Sequence, residues 1–530
     1  MDNEKLKGNI KEFLKDNQNK LLIVLIAFAT LFRLYYFFKL GAQPIWWDEG
    51  DYLAVAKGFL LNWQTQEWWA HFSGIRPLLM PMLWALFLKL NLSEIIMRFF
   101  TLFIPSIITV YLTYAIGRDL YNKKVGLIAG LMMSVYWVQM FYTFRLLTDI
   151  PALCLSMFSI YFFWSWYIKK EKPIGLYLCI LFGVLGFSTR FPLAMVPFTC
   201  IFYLFITKRF SLLKDKIIWK ASIIGIGLLL FYFIMASLFG SGILNAIQFY
   251  FGSKAVSMGT PVTTAFKDIM LLIPSLLEKV WLVAVFIGLI TFINLVLGFD
   301  LFLKRKNKEL DSDFFVFIWA FLQLFLYIVI VKSATDRWLL MLMPALFIIA
   351  AKGTLLIYDY LKKYNKEIAI VALLIFVGGG FYEHFTHTNQ LIDMKIGSYG
   401  EEKEAGIWIK ENFVGIPKIM TASTVQIAYY SEGYTYGFST NATEYTNCVD
   451  KMGAIVDNES CQNITETLFD EKVKEVNPDF FIIHIFEPVF TPKWAYTYAE
   501  KHRNQLTPVQ AYFADEQKTQ PMLILYKYNK

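Results

Sequence analysis

The stretch LLIVLIAFATLFRLYYFFKL, residues 21–40, decides the fold of this chain. It is mostly apolar and has the length that an α-helix needs to cross the hydrocarbon core of a bilayer. A polar, lysine-rich segment of about 20 residues precedes it. The run is too long and too aromatic for a signal peptide, and no small-residue cleavage site follows. We therefore interpret residues 1–20 as cytoplasmic and 21–40 as a membrane anchor.

Further apolar runs of similar length follow the first. Of the 530 residues, 57% are hydrophobic and only 17% are charged, whereas about 25% are charged in typical soluble proteins. A soluble fold of this length has too little interior for so much apolar surface. The sequence predicts an α-helical polytopic membrane protein with about 11 transmembrane helices. The predicted spans are 21–40, 94–116, 125–143, 150–168, 174–190, 192–207, 218–239, 280–303, 314–333, 338–358 and 367–382.

Basic residues cluster in the loops on one side of these spans, for example at Lys304–Lys308 and Lys362–Lys366. Because such clusters mark cytoplasmic loops, they favour a cytoplasmic N-terminus and an external C-terminus in a multi-pass protein of the cell membrane. They also explain the net charge of +8 without a nucleic-acid partner, and leave membrane lipids as the expected surroundings. The apolar segment 77–90 would reverse every loop if it crossed, so we predict a re-entrant or interfacial helix on the outer side there.

The polarity changes near residue 383, and helix and strand signals then alternate to the end of the chain. Strand-like segments are rich in β-branched and aromatic residues, and helix-like segments lie between them. The pattern predicts a transmembrane domain over 21–382, with a first outer loop at 41–93, and an extracytoplasmic α/β domain over 383–530. The predicted helices are 401–412, 465–476 and 492–502, and the predicted strands are 418–422 and 480–485.

Two features of the polar tail are meaningful on an external face. Asn441 and Asn463 begin N-glycosylation sequons. Cys448 and Cys461 are close enough in sequence to form a disulfide in an oxidising compartment, although the sequence alone leaves the pairing open.

Charged residues gather near the predicted outer ends of the spans. Such residues are costly at a membrane, so they usually pair or face a polar cavity. Their convergence indicates an outward-facing polar cavity, and the alternative is a set of salt bridges that fix helix packing. The residues are Arg76, Arg98, Arg145, Arg190 and Arg337, with Asp48, Glu49, Asp51, Asp149 and Asp336.

The segment IWWDEGDYLAVAKG, residues 45–58, carries the most specific signal. Apolar residues recur after Asp48 and Glu49 at helical spacing, which places both acids near a helix N-terminus. The helix dipole stabilises negative charge there. An ionised carboxylate at a cavity mouth suits a general base, and the alternative is a helix-capping acid.

Three motifs together resemble the GT-C glycosyltransferases, in particular the protein O-mannosyltransferases and the aminoarabinose transferases of lipid A. The first is Asp48-Glu49 in the outer loop, followed by the basic residue and Pro-Leu-Leu of Arg76–Leu79. The second is Arg145-Leu-Leu-Thr-Asp149 at the start of a span. The third is Asp336-Arg337-Trp-Leu-Leu before a late span. One departure is Gly50, since the aminoarabinose transferases carry a basic residue after the acidic pair.

The resemblance implies an enzyme that takes a sugar from a polyprenyl-phosphate carrier and transfers it outside the membrane. Asp48 would match the catalytic aspartate, with Glu49 beside it. Asp149 would match an acid near which some relatives bind a divalent metal ion, and no other cofactor is implied. The implied residues for the donor phosphate are Arg76, Arg145, Arg190 and Arg337.

The predicted function is an inverting membrane glycosyltransferase whose acceptor is a protein, a lipid or a glycan. A transporter or flippase for a lipid-linked or anionic substrate is the main alternative. It would favour repeated halves and broken helices, and the sequence shows neither clearly. A non-catalytic assembly subunit, which would tolerate the loss of Asp48, also stays open.

Overall fold

The computed structural model describes residues 15–41, 43–61, 69, 73–239, 260–298, 307–438, 459–488, 490–515 and 517–530. The chain divides into two compact units. The helical unit comprises Met1–Gly41, Gly74–Met80 and Leu92–Lys395. The mixed unit comprises Ala42–Ser73, Pro81–Asn91 and Ile396–Lys530. The sequence assigned the outer loop 41–93 to the transmembrane domain, whereas the structure groups most of it with the C-terminal residues.

Within the described residues, nine helices are long and apolar enough to cross a membrane. Two shorter apolar helices, Leu79–Lys89 and Ile174–Thr189, accompany them. Three of the nine contain a π-helical stretch that does not interrupt the helix. The nine are Asn17–Leu40, Glu94–Leu120, Asp149–Tyr167, Phe191–Lys214, Lys216–Leu238, Val262–Ile290, Lys308–Val331, Met343–Lys362 and Lys366–Lys395.

Three predicted spans differ from the observed helices, and one of them, 367–382, belongs to a helix that continues to Lys395, past the predicted domain boundary at 383. The span at 125–143 is divided into Lys123–Val135 and Trp137–Tyr142, because Tyr136 has an extended backbone with φ −57° and ψ 118°. The span at 280–303 is replaced by Val262–Ile290, which bends at Glu278, and by Ile293–Leu297. Glu278 has a non-helical backbone with φ 53° and ψ 178°, so the helix is broken there, close to the predicted start at residue 280.

A buried arginine joins three segments of the helical unit. Arg33, in the first span, is fully buried. Its guanidinium donates to Ser106 Oγ at 2.6 Å, to the carbonyl oxygen of Ser134 at 2.9 Å and to Gln139 Oε1 at 3.0 Å. These bonds satisfy a group that would otherwise be costly inside a membrane protein.

The mixed unit contains a five-stranded sheet in the order β2-β1-β3-β5-β4. Strands β1, β2 and β3 pair in parallel, and β5 joins β3 and β4 in antiparallel pairs. All five residues of β3 are buried, as expected for a central strand with helices on both faces. The strands are β1 Lys418–Thr421, β2 Tyr434–Tyr436, β3 Phe480–His484, β4 Leu506–Phe513 and β5 Pro521–Tyr528.

Helices pack on this sheet, and the mixed unit also includes a helix from the first outer loop. The predicted tail helices are present, and a further short helix at Thr424–Ser431 had no clear sequence signal. The helix Trp47–Leu61 packs against that short helix within the mixed unit. The unit also contains the helices Gly400–Asn412, Glu459–Val476 and Ala495–Lys501, and most of Leu79–Lys89.

Candidate active site

Asp48 and Glu49 occupy the first turn of the helix Trp47–Leu61, which we call the Asp48 helix. Glu49 is fully buried, and its Oε2 accepts the backbone N–H of Trp46 at 2.9 Å. A glutamate at the third helical position that bonds back to the capping residue forms half of a capping box. Asp48 is partly exposed. The structure thus gives Glu49 the hydrogen bond of a helix cap and leaves the Asp48 side chain partly exposed beside it.

Replacing Glu49 by alanine is expected to cost about 0.5–2 kcal/mol of stability, because the partly buried N–H of Trp46 loses its acceptor. Glu49→Gln keeps a side-chain oxygen that can fill the same position. Thermal unfolding of both variants in detergent measures the difference. Equal unfolding temperatures for Glu49→Ala and the wild type would show that the cap is dispensable.

In the helical unit, Asp149 and Arg190 form an ion pair. Asp149 begins the helix Asp149–Tyr167, and Arg190 directly follows the helix Ile174–Thr189. Arg190 Nη1 lies 2.9 Å from Asp149 Oδ1, and the two side chains are 13% and 1% exposed. A pair with so little solvent is fixed in place, because separating it would leave a buried charge.

Asp336 and Arg337 lie near this pair. The hydroxyl of Tyr142 donates to both Asp336 carboxylate oxygens, at 3.1 and 3.2 Å, and the Arg337 N–H donates to Asp336 Oδ1 at 2.8 Å. The Tyr142 hydroxyl also interacts electrostatically with Arg337 and Asp149. Residues far apart in sequence therefore meet in one charged cluster of the helical unit.

The other predicted arginines have distinct surroundings. Arg145 is buried in the loop before Asp149, with its guanidinium 5.4 Å from the centre of the Phe141 ring. Arg76 is partly buried just before the helix Leu79–Lys89. Arg98 serves packing instead, since its Nη1 donates to the Gly41 carbonyl at 3.0 Å.

Residues 75–235 match the family model described as dolichyl-phosphate-mannose-protein mannosyltransferase. Over this range the chain is similar to membrane glycosyltransferases of the GT-C type. The matched range includes Arg76, Arg145, Asp149 and Arg190. No curated protein sequence matches the chain.

Solved structures resemble this chain over nearly its full length. ArnT from Cupriavidus metallidurans, bound to undecaprenyl phosphate, has a TM-score of 0.61 at 11% identity, covering 95% of this chain and 98% of ArnT. The Archaeoglobus fulgidus oligosaccharyltransferase, tethered with an acceptor peptide, has a TM-score of 0.58 at 11% identity, covering 97% and 74%. AglB from the same organism, with an inhibitory peptide and a dolichol-phosphate, has a TM-score of 0.54 at 11% identity, covering 98% and 75%. These matches confirm the predicted multi-pass fold with a C-terminal α/β region.

A divalent metal at Asp149 does not fit the residues that the structure describes around it. The described part of the chain holds no group of three or more His, Cys, Asp or Glu side chains placed to bind a metal ion. The Asp149 carboxylate instead faces the guanidinium of Arg190. The positive charge of Arg190 already balances the negative charge of Asp149 that a metal ion would need as a ligand.

The predicted modification sites fall partly outside the described residues. Asn441 and Cys448 lie in the range 439–458, which the structure does not describe, whereas Cys461 is disulfide-bonded. Asn463 is exposed on the helix Glu459–Val476, but Thr465 of its sequon is buried and accepts a hydrogen bond from Trp494 Nε1 at 3.1 Å. The folded helix therefore differs from the surface loop that a sequon favours.

Sequence reasoning missed a buried polar cluster in the mixed unit. Glu402 is fully buried and accepts from Ser423 Oγ at 2.6 Å, and His484 Nε2 lies 3.6 Å from its Oε1. Glu487 accepts from the Tyr399 hydroxyl at 2.8 Å. Burial raises the pKa of Glu402 well above its ordinary value and lowers the pKa of His484 to about 4. No spacing in the sequence links these residues, so only the fold shows them together.

Glu487 should make the stability of this enzyme depend on pH. Burial raises the pKa of Glu487 to about 7, whereas the unfolded chain has a value of about 4.3. Between these two pKa values the folded state keeps a proton that the unfolded state has lost. The free energy of unfolding therefore falls as the pH rises towards about 7. Between pH 5 and pH 8, we expect the free energy of unfolding of the wild type to fall by about 1–3 kcal/mol more than that of Glu487→Gln. Thermal unfolding of both proteins across this range measures it, and parallel curves would contradict it.

Proposed function

We propose that this glycosyltransferase moves a sugar from a polyprenyl-phosphate donor to an acceptor on the extracytoplasmic side, with inversion and with Asp48 as the general base. The observation that carries the proposal is the family match over residues 75–235, whose description names a dolichyl-phosphate sugar. Two of the structural relatives were solved with undecaprenyl phosphate and with dolichol-phosphate. Both lipids have the phosphate head group that the proposed donor would release.

The reaction needs one base and stabilisation of one leaving group. The nucleophilic atom of the acceptor forms a bond to the anomeric carbon, and Asp48 takes its proton. The bond between that carbon and the phosphate oxygen breaks, and its electron pair leaves with the polyprenyl phosphate. A carboxylate suits the proton transfer, and arginine guanidinium groups suit the phosphate because they bind its oxygens in bidentate geometry.

The charged cluster of the helical unit supports a phosphate-binding role for its arginines. Asp149 fixes the orientation of Arg190, and Asp336 bonds to the backbone of Arg337 and to Tyr142. Such preorganisation lets guanidinium groups stabilise developing charge without rearranging. We assign Arg76, Arg145, Arg190 and Arg337 to the donor phosphate.

The proposed orientation rests on the distribution of basic residues. Lysine and arginine clusters in alternate loops place the N-terminus in the cytoplasm and the C-terminal residues outside. The acceptor would then be a protein, a lipid or a glycan of the extracytoplasmic side.

Donor recognition tests this function in purified protein. Undecaprenyl phosphate and dolichyl phosphate should raise the thermal unfolding temperature, whereas dolichol without phosphate should not, because binding to the folded state stabilises it. Arg337→Gln should reduce the shift, and the exposed Arg503→Gln is the matched control. Equal shifts from dolichol and dolichyl phosphate, or none from either phosphate, would count against the proposal.

A further inference from the structure

The chain segment that leads into the Asp48 helix is held by a tyrosine from the C-terminal part of the mixed unit. The backbone N–H of Ile45 donates to the hydroxyl of Tyr430 at 3.0 Å. Both residues are buried. Ile45 lies three residues before Asp48, so this bond fixes the chain directly before the helix begins.

A close approach of the backbone follows on the first turn of the Asp48 helix. A Cβ atom built on Gly50 would lie only 2.9 Å from Val425 Cγ2 and 3.6 Å from Gln426 Cγ. A larger residue at position 50 would therefore need the Val425 side chain to shift or the two helices to move apart. This contact explains why a glycine stands where the resembling transferases carry a basic residue.

A lysine secures the Asp48 helix further along. Lys57 Nζ donates to the Tyr429 carbonyl at 2.7 Å and lies 2.8 Å from Glu432 Oε1. Glu432 ends the helix Thr424–Ser431 in a left-handed conformation with φ +56°. Helix C-termini expose unpaired carbonyls and favour positive charge, so Lys57 both caps this helix and anchors its own.

We infer that the helix Thr424–Ser431 is a clamp that positions Asp48, with Tyr430, Val425 and Glu432 as its positioning residues. The three contacts at Ile45, Gly50 and Lys57 lie on both sides of Asp48 in the sequence. They restrict sliding and rotation of the helix that carries the carboxylate. A misplacement of about 1 Å in a reacting group can cost about 100-fold in rate. The inference rests on the proposed function, in which Asp48 is the base.

Three variants test the clamp in the full-length enzyme. Tyr430→Phe removes one oxygen, Gly50→Ala forces the helices apart, and Lys57→Met removes one charge. Each should accelerate amide hydrogen exchange in Trp47–Leu61 at least about 10-fold and lower kcat about 10- to 100-fold, with the donor KM within about twofold. Exchange in β3 should not change. Gly397→Ala, where a Cβ would meet nothing within 4 Å, and Lys501→Met, in a surface pair with Glu466, are the matched controls.

A second substitution distinguishes a loss of helix positioning from a general loss of folding. Val425→Ala removes the Cγ2 atom that a side chain at position 50 would meet. The double variant Gly50→Ala/Val425→Ala should therefore recover most of the kcat and the slow exchange that Gly50→Ala loses. Tyr430→Phe is the least disruptive of the variants and keeps the test open if Gly50→Ala does not fold.

The readouts also separate failure of the clamp from failure of the proposed base. Unchanged exchange and kcat in Tyr430→Phe and Gly50→Ala, with Asp48→Asn inactive, would overturn the clamp and keep the base. Retained transfer in Asp48→Asn would overturn the base, and the exchange of Trp47–Leu61 would still decide whether the clamp holds the helix.

Discussion

Asp48→Asn should lower sugar transfer at least about 100-fold while donor binding and folding stay intact. Asparagine has nearly the same shape as aspartate but cannot accept the proton of the acceptor, and general base catalysis contributes about 100- to 10,000-fold. Asparagine is also tolerated near helix N-termini, so the Asp48 helix should persist. Glu49 keeps its bond to Trp46 in this variant because it does not depend on Asp48.

The measurement compares kcat and the donor-induced thermal shift in wild type and variant. Asp359→Asn, an exposed acid of the helix Met343–Lys362, is the matched control and should keep wild-type activity. Loss of transfer together with loss of the donor shift would indicate a binding role instead. Transfer above a tenth of the wild-type rate would show that Asp48 is not the base.

Arg190→Met should destabilise the helical unit by about 3–5 kcal/mol, because it leaves Asp149 as an unpaired charge in a buried position. Replacing both partners, as Arg190→Met/Asp149→Leu, should recover much of that loss, since no charge is then left without a partner. Neither variant should transfer sugar, because the proposed phosphate contact of Arg190 is absent from both.

Thermal unfolding in detergent and transfer assays test this pair. The control for loss of positive charge is Lys216→Met. Lys216 is an exposed basic residue at the start of the span Lys216–Leu238. If Arg190→Met is as stable as the wild type, the ion pair between Asp149 and Arg190 does not contribute to the stability of the fold. If the double variant is less stable than the single one, the unpaired charge is not the cause.

Much of the fold follows from the sequence because a bilayer demands long apolar helices. The run at 21–40 corresponds to the helix Asn17–Leu40. The pattern fails where tertiary contacts decide. Val262–Ile290 begins well before the predicted start at residue 280 and is broken at Glu278, which pairs with His387 at a nitrogen-to-oxygen distance of 2.6 Å. The break at Tyr136 divides a predicted span at a position where the sequence has no proline or glycine to predict it.

The candidate site was only partly predictable. Motif order singled out Asp48 and Glu49 together, but their different roles depend on one hydrogen bond to the Trp46 backbone. The pairing of Asp149 with Arg190 needs two helices that meet only in the folded chain. Gly50 looked like a departure from the family pattern until Val425 supplied the reason.

One measurement tests the central claim most directly. Purified enzyme in liposomes receives a polyprenyl-phosphate sugar with ³H in the lipid and ¹⁴C in the sugar, together with membranes that supply acceptors. We use mannose, glucose and aminoarabinose donors in turn. The account predicts that, with one donor, the labels separate in equal amounts, ³H as polyprenyl phosphate and ¹⁴C on the acceptor. If both labels stay together on intact lipid with every donor, or cross the bilayer together, sugar transfer is contradicted and a transporter is indicated.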